Sequence, residues 1–169
     1  MSIQSYILIL LHLVPWTLGM GVAFYFAFAA IPLANRSLQG EERLQSLKRN
    51  AKFYHITFLL AMSCMVVTGA WRLTDYKVAL GMQYFSDVSK VLIVKMAIFF
   101  VIYILAAYQS FALGLRITGT GEKAISDFVP AELVDRIVGK MRNIAILNLL
   151  LMCAAAYAGL MLSRIPYFK

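Results

Sequence analysis

The chain has 169 residues, 62% of them hydrophobic and 14% charged, with a formal net charge of +8; that is too apolar for an ordinary soluble domain. The positive excess raises nucleic acid as a partner. Its distribution argues against that, because Lys and Arg concentrate in two connections between apolar stretches, as they do when charge sets membrane orientation. A soluble helical fold is excluded too, since these stretches carry no polar stripe.

A helix crosses the roughly 30 Å of bilayer hydrocarbon with about 20 mostly apolar residues. Four stretches meet that length: 6–33, 53–73, 91–115 and 143–162. The expected architecture is all-α, one transmembrane domain over 1–169. It is an integral membrane four-helix bundle running up-down-up-down, with both termini on the outer side.

The first stretch has no basic residue before it and ends Ile31-Pro32-Leu33 without a small-x-small site, so it reads as a span rather than a signal peptide. Gly19, Ala23 and Ala27 form a small-residue face along it. The connection that follows, NRSLQGEERLQSLKRNAK, carries Arg36, Arg43, Lys48, Arg49 and Lys52 and reads as a helical extension on the cytoplasmic side.

After the second span come Arg72, Lys77 and Lys90, with Tyr76, Tyr84 and Phe85 suited to an interface. The third connection holds Arg116, Lys123, Arg136, Lys140 and Arg142. It opens as a Gly/Thr turn, and Pro130 then stands near the start of a helix leading into the fourth span. Ala155 and Gly159 give that span its own small-residue face, and the tail adds Arg164 and Lys169.

Polar groups inside spans are costly and default to functional candidates. At 1.5 Å per residue, His12 lies about 9 Å and Lys95 about 6 Å from the outer ends of their spans, so they share a level. Trp16, four residues after His12, lies on the same helix face. His55, Gln109 and Asn148 form a second layer about 3–10 Å from the inner side. The bland readings stand beside these: Lys95 snorkels to the interface, His12 makes a structural hydrogen bond, and Gln109 bonds Asn148 as glue between helices.

The two imidazoles are separated by roughly 18 Å along the bilayer normal, which disfavours their sharing one haem iron. Met62 and Met152 lie on the His55 and Asn148 faces of their helices and supply thioethers of the kind Cu(I) favours; methionine is equally a core gap-filler. Cys64 and Cys153 both fall near mid-span with no CxxC pair, so no structural disulfide is expected.

Three motifs in order carry a family resemblance. LHLVPWTLGMG, with His12, Trp16 and Gly19, resembles the opening of the copper-resistance D (CopD) membrane domain. VVTGAWRL, with Thr68 and Gly69, is similar to that family's second-span exit, and VLIVKMAIFF resembles its third-span run around a lysine, here Lys95. The segment YQSFALGLR stands where an Asn–Arg pair is often found, and Asn148 where an acidic residue is often found.

The CopD resemblance implies a bacterial inner-membrane, multi-pass protein that binds or passes copper, with His12 as first ligand and Met62 and Met152 as sulfur ligands. Lys95 would exclude competing cations or hold an anion. A periplasmic metal carrier or other membrane subunits would be its partners, beside the lipid bilayer.

The alternative is the HemJ-type family, which also pairs a first-span histidine with a third-span lysine. It implies haem b or a porphyrin, with His12 as iron ligand or proton relay, Lys95 on a propionate and Trp16 packed on the macrocycle. A third class is a non-catalytic accessory subunit of a larger membrane complex. Cofactor-contact candidates are thus His12, Trp16, Lys95, His55, Gln109 and Asn148; no residue is assigned a catalytic role.

Overall fold

The computed structural model describes residues 3–82, 88–118 and 131–163. Expectations placed on the Gly/Thr turn, on Tyr84, Phe85, Lys123, Pro130, Arg164 and Lys169, and on the Tyr76 side chain lie outside the described residues. Helix α1 (Ile3–Tyr25) continues through a π-helical turn, Phe26–Ala30, into α2 (Ile31–Ser37). Helix α3 covers Gly40–Leu80. Helix α4 (Ser89–Ala107) passes through a second π-helical turn, Tyr108–Gly114, into α5 (Leu115–Thr118), and α6 covers Ala131–Ser163.

Apart from the short breaks at 38–39 and 81–82 the described residues are helical, with no strand among them. Four helical stretches are long and apolar enough to cross a membrane: Tyr6–Ser37, Gly40–Thr74, Ser89–Gly114 and Glu132–Met161. The chain is a multi-pass membrane protein.

The helices outrun the apolar windows of the sequence. The 41 residues of α3 measure about 60 Å, twice the hydrocarbon thickness. Its first three turns are polar outside yet bury Leu47 and Ala51, and the start of α6 buries Val134, Ile137 and Val138 in the same core. That amphipathic pairing keeps both segments helical where a purely apolar window stops, and Arg43 pairs with Asp135 across it.

Leu38 and Gln39 are extended, which separates α2 from α3. Glu41 and Glu42 in the first turn of α3 favour its positive end. At the other end Gly81 adopts φ +54°, a conformation that strains other residues, and its N–H caps the Lys77 carbonyl at 3.1 Å.

Small residues let the helices approach closely. Ala23, Ala27, Ala30 and Ala34 are buried along α1 and α2, as are Ala61 on α3, Ala145 and Ala155 on α6 and Ala106 on α4. The expected faces at Gly19, Ala23 and Ala27 and at Ala155 are packing faces. Both turns at Phe26–Ala30 and Tyr108–Gly114 close bonds five residues apart, Ile31 N–H to Phe26 O and Leu115 N–H to Ser110 O. Each inserts a residue into the helical register and turns the side chains that follow.

Leu47 is 2% exposed, so Leu47→Ala is expected to cost about 2–5 kcal/mol. Arg43→Ala, which breaks a partly exposed ion pair, is expected to cost about 1 kcal/mol or less. Thermal denaturation of both variants in detergent checks the contrast.

Candidate functional site

The polar side chains of the spans gather in two layers separated by apolar packing. In one layer, called outer after the expected orientation and its counterpart inner, His12 on α1 meets α3: its Nδ1 lies 2.8 Å from Thr68 Oγ1. Thr68 Oγ1 also donates to the Cys64 carbonyl at 2.8 Å. A hydroxyl has one proton to give. With that proton on the Cys64 carbonyl, Thr68 accepts from Nδ1–H, and the lone pair of the neutral imidazole sits on Nε2. The His12 ring also packs on Gly69, whose Cβ, were there one, would touch Cε1 at 3.4 Å.

Lys95 and Arg72 are basic side chains near His12. The Lys95 stem lies over Gly159 of α6, with Nζ 3.3 Å from where a Cβ would stand. The ammonium is half-buried between α4 and α6, so it does not simply extend into lipid. Arg72 was counted in the sequence only as a connection charge. Its signal was its spacing, one turn past Thr68 and so on the same face of α3. Trp16 is half-buried and packs against the core on the α1 side.

Below this layer the interior is apolar. Met62 and Met152, both fully buried, converge on Gly19: a Cβ there would stand 2.8 Å and 3.2 Å from their methyl carbons. The structure thus brings the two predicted thioethers together. It does not bring them to His12, since Gly19 lies seven residues further along α1, about 10 Å. Cys64 and Cys153 are free thiols on exposed faces of their helices, and the described residues hold no group of three or more His, Cys, Asp or Glu placed to share a metal ion.

The inner layer is built around Tyr54 and His55 of α3. The Tyr54 ring stacks on Phe26 of the first π turn, with centroids 4.5 Å apart, and on Phe58 at 5.3 Å. Its hydroxyl donates to Gln109 Oε1 at 3.1 Å, and Gln109 Nε2 donates to the Met141 carbonyl of α6 at 2.9 Å. Ser110 Oγ and His55 Nδ1 share a 3.2 Å hydrogen bond. His55 Nε2 lies against Gly114, where a Cβ would approach it to 2.5 Å.

Gln109, Ser110 and Gly114 all belong to the second π turn. The bland alternative, Gln109 bonded to Asn148, is not formed: the Gln109 amide bonds Tyr54 and the Met141 carbonyl. Asn148 lies beside the Tyr54 hydroxyl without a well-formed hydrogen bond to it. Both atoms of the Asn148 amide, and His55 Nε2, are buried with no partner.

Three members of this layer, Tyr54, Ser110 and Gly114, were not singled out in the sequence. Tyr54 adjoins His55, and Ser110 adjoins Gln109, but neither is ionised at neutral pH and neither stood out in an apolar run. His55 and His12 do not meet: Thr68, the partner of His12, is thirteen residues beyond His55 on one helix, about 20 Å.

No family model, no curated protein and no solved structure matches this chain.

The Gly114 contact is with an imidazole ring rather than the tip of a flexible chain, so Gly114→Ala forces that ring or α5 to move. It is expected to lower the melting temperature by several degrees and to alter the His55 side-chain NMR signals. Gly19→Ala meets only mobile methionine methyls and is expected to be milder in the same assay.

Proposed function

We propose that the outer layer is the ligand site of a small membrane protein, and that its ligand is an anionic tetrapyrrole, haem b or a porphyrin, as in the HemJ-like reading. The observation that carries this is an imidazole anchored through Nδ1 to Thr68, with the basic side chains of Lys95 and Arg72 near it. The parts fit the group: Nε2 suits an iron, Lys95 and Arg72 suit carboxylates, and Trp16 offers an aromatic face one turn away. A cation beside a carboxylate in a low-dielectric site is strongly favoured. When bound, haem would supply redox chemistry, while the chain would bind and orient it and balance its charge.

The CopD-like copper reading is second. It is supported by the convergence of Met62 and Met152 at Gly19, a pair of soft donors suited to Cu(I). Here His12 and the thioethers would be successive stations about 10 Å apart rather than one coordination sphere. The same two cations weigh against it, since like charges repel strongly where the dielectric is low.

In this proposal the spans alternate direction and both termini face outward across a bacterial inner membrane. Supporting alternation, contacts run in opposite order along neighbouring helices: 12 meets 68 while 26 meets 54, and 95 meets 159 while 109 meets 141. Supporting the orientation, Arg36, Lys48, Arg49 and Lys52 lie at one end with Arg136, Lys140 and Arg142.

An absorbance spectrum and elemental analysis on one purified sample test both readings. A Soret band that disappears in His12→Ala and falls several-fold in Lys95→Gln is the expected result. Fully reconstituted protein with no Soret band overturns the haem reading. Copper at one per chain, lost in a Met62→Leu, Met152→Leu double variant, would establish the second reading instead.

A further inference from the structure

The inner layer takes no part in the proposed tetrapyrrole site, yet it holds three buried polar atoms without partners. Asn148 is 0% exposed and both its amide nitrogen and its oxygen are unbonded; His55 is 7% exposed and its Nε2 is unbonded. Buried groups of this kind are nearly always paired, with ordered water where protein supplies nothing.

Two further observations mark the place as a site. Both π-helical turns converge on Tyr54 of α3, where Phe26 stacks on its ring and Gln109 bonds its hydroxyl, and Ser110 of the second turn bonds the adjacent His55. Such turns are rare and occur often at functional sites. The second turn also presents Gly114, the one residue type that leaves room for the His55 ring at that distance.

The chemistry of the unpartnered atoms defines the occupant. Asn148 needs both a donor and an acceptor, and the adjacent Tyr54 oxygen retains a lone pair after donating to Gln109. No carboxylate, lysine or arginine belongs to the layer among the residues described above, so a charged ligand has nothing to balance it. Phe26 and Phe58 enclose the Tyr54 ring and Met141 adjoins Gln109, all 2% exposed or less, which limits the occupant to something small.

We propose that this layer is a second, inner-side binding site for water. One water position bridges the Asn148 amide and the Tyr54 hydroxyl; another completes His55 at Nε2. The buried methionine pair at Gly19 separates this hydrated site from the outer layer, so it works independently of whatever His12 binds.

Water-edited solid-state NMR of the full chain in lipid bilayers tests the proposal. The chain has 2 histidines, so a His12→Ala sample leaves one imidazole signal, that of His55. Rapid transfer of water magnetisation to the His55 ring and the Asn148 side-chain amide is expected, with transfer to the Met62 methyl far slower. In Asn148→Leu the transfer to Tyr54 is expected to drop while that to His55 persists. Transfer to His55 and Asn148 as slow as to Met62 in the wild-type chain overturns the proposal. None of these readouts depends on a Soret band or on copper.

Discussion

Hydrocarbon offers no hydrogen bonds, so every polar side chain carried into a span must find its partner within the protein. That requirement holds this fold in register. His12 to Thr68 ties α1 to α3, Tyr54 to Gln109 ties α3 to the second π turn, and Gln109 to the Met141 carbonyl ties that turn to α6. Apolar packing between helices is nearly indifferent to rotation, because lipid tails pack against leucine as well as leucine does. A few polar contacts therefore choose which faces meet, and the alanine seams set how closely.

The two layers solve the burial of an imidazole in different ways. The outer one is half-open: His12 is anchored at one nitrogen to Thr68, with Lys95 and Arg72 near it. The inner one is uncharged and closed, with Tyr54, Gln109, Ser110 and His55 arranged by backbone irregularity rather than by ion pairing. A regular α-helix over residues 108–114 would turn the Gln109 amide away from Tyr54. The π turn is what lets one helix serve both α3 and α6.

The spans, the two polar levels and the small-residue face of the first helix were legible from composition and periodicity, because burial in lipid imposes those patterns directly. The length of α3 was not. Residues 40–52 are too charged for an apolar window, and their helicity depends on Leu47 and Ala51 meeting Val134 and Ile137, residues distant in the chain. The π turns leave no mark in composition, so the partners of Gln109 were not legible. Thr68 was noted only as part of a motif, and Arg72 only as a charge; one helical turn between them was the available clue. Met62 and Met152 were each aligned with a face, but their meeting at Gly19 required knowing how the α1, α3 and α6 faces oppose one another.

The methionine pair over Gly19 has an electrical consequence. Met62 and Met152 are fully buried and meet at Gly19, which makes an apolar layer between the levels of His12 and His55. A transmembrane voltage falls mainly across such a low-dielectric layer, and a unit charge crossing it would do work of about 2.3 kcal/mol for each 100 mV. In a bilayer that carries a voltage, two imidazoles so separated would lie at different potentials.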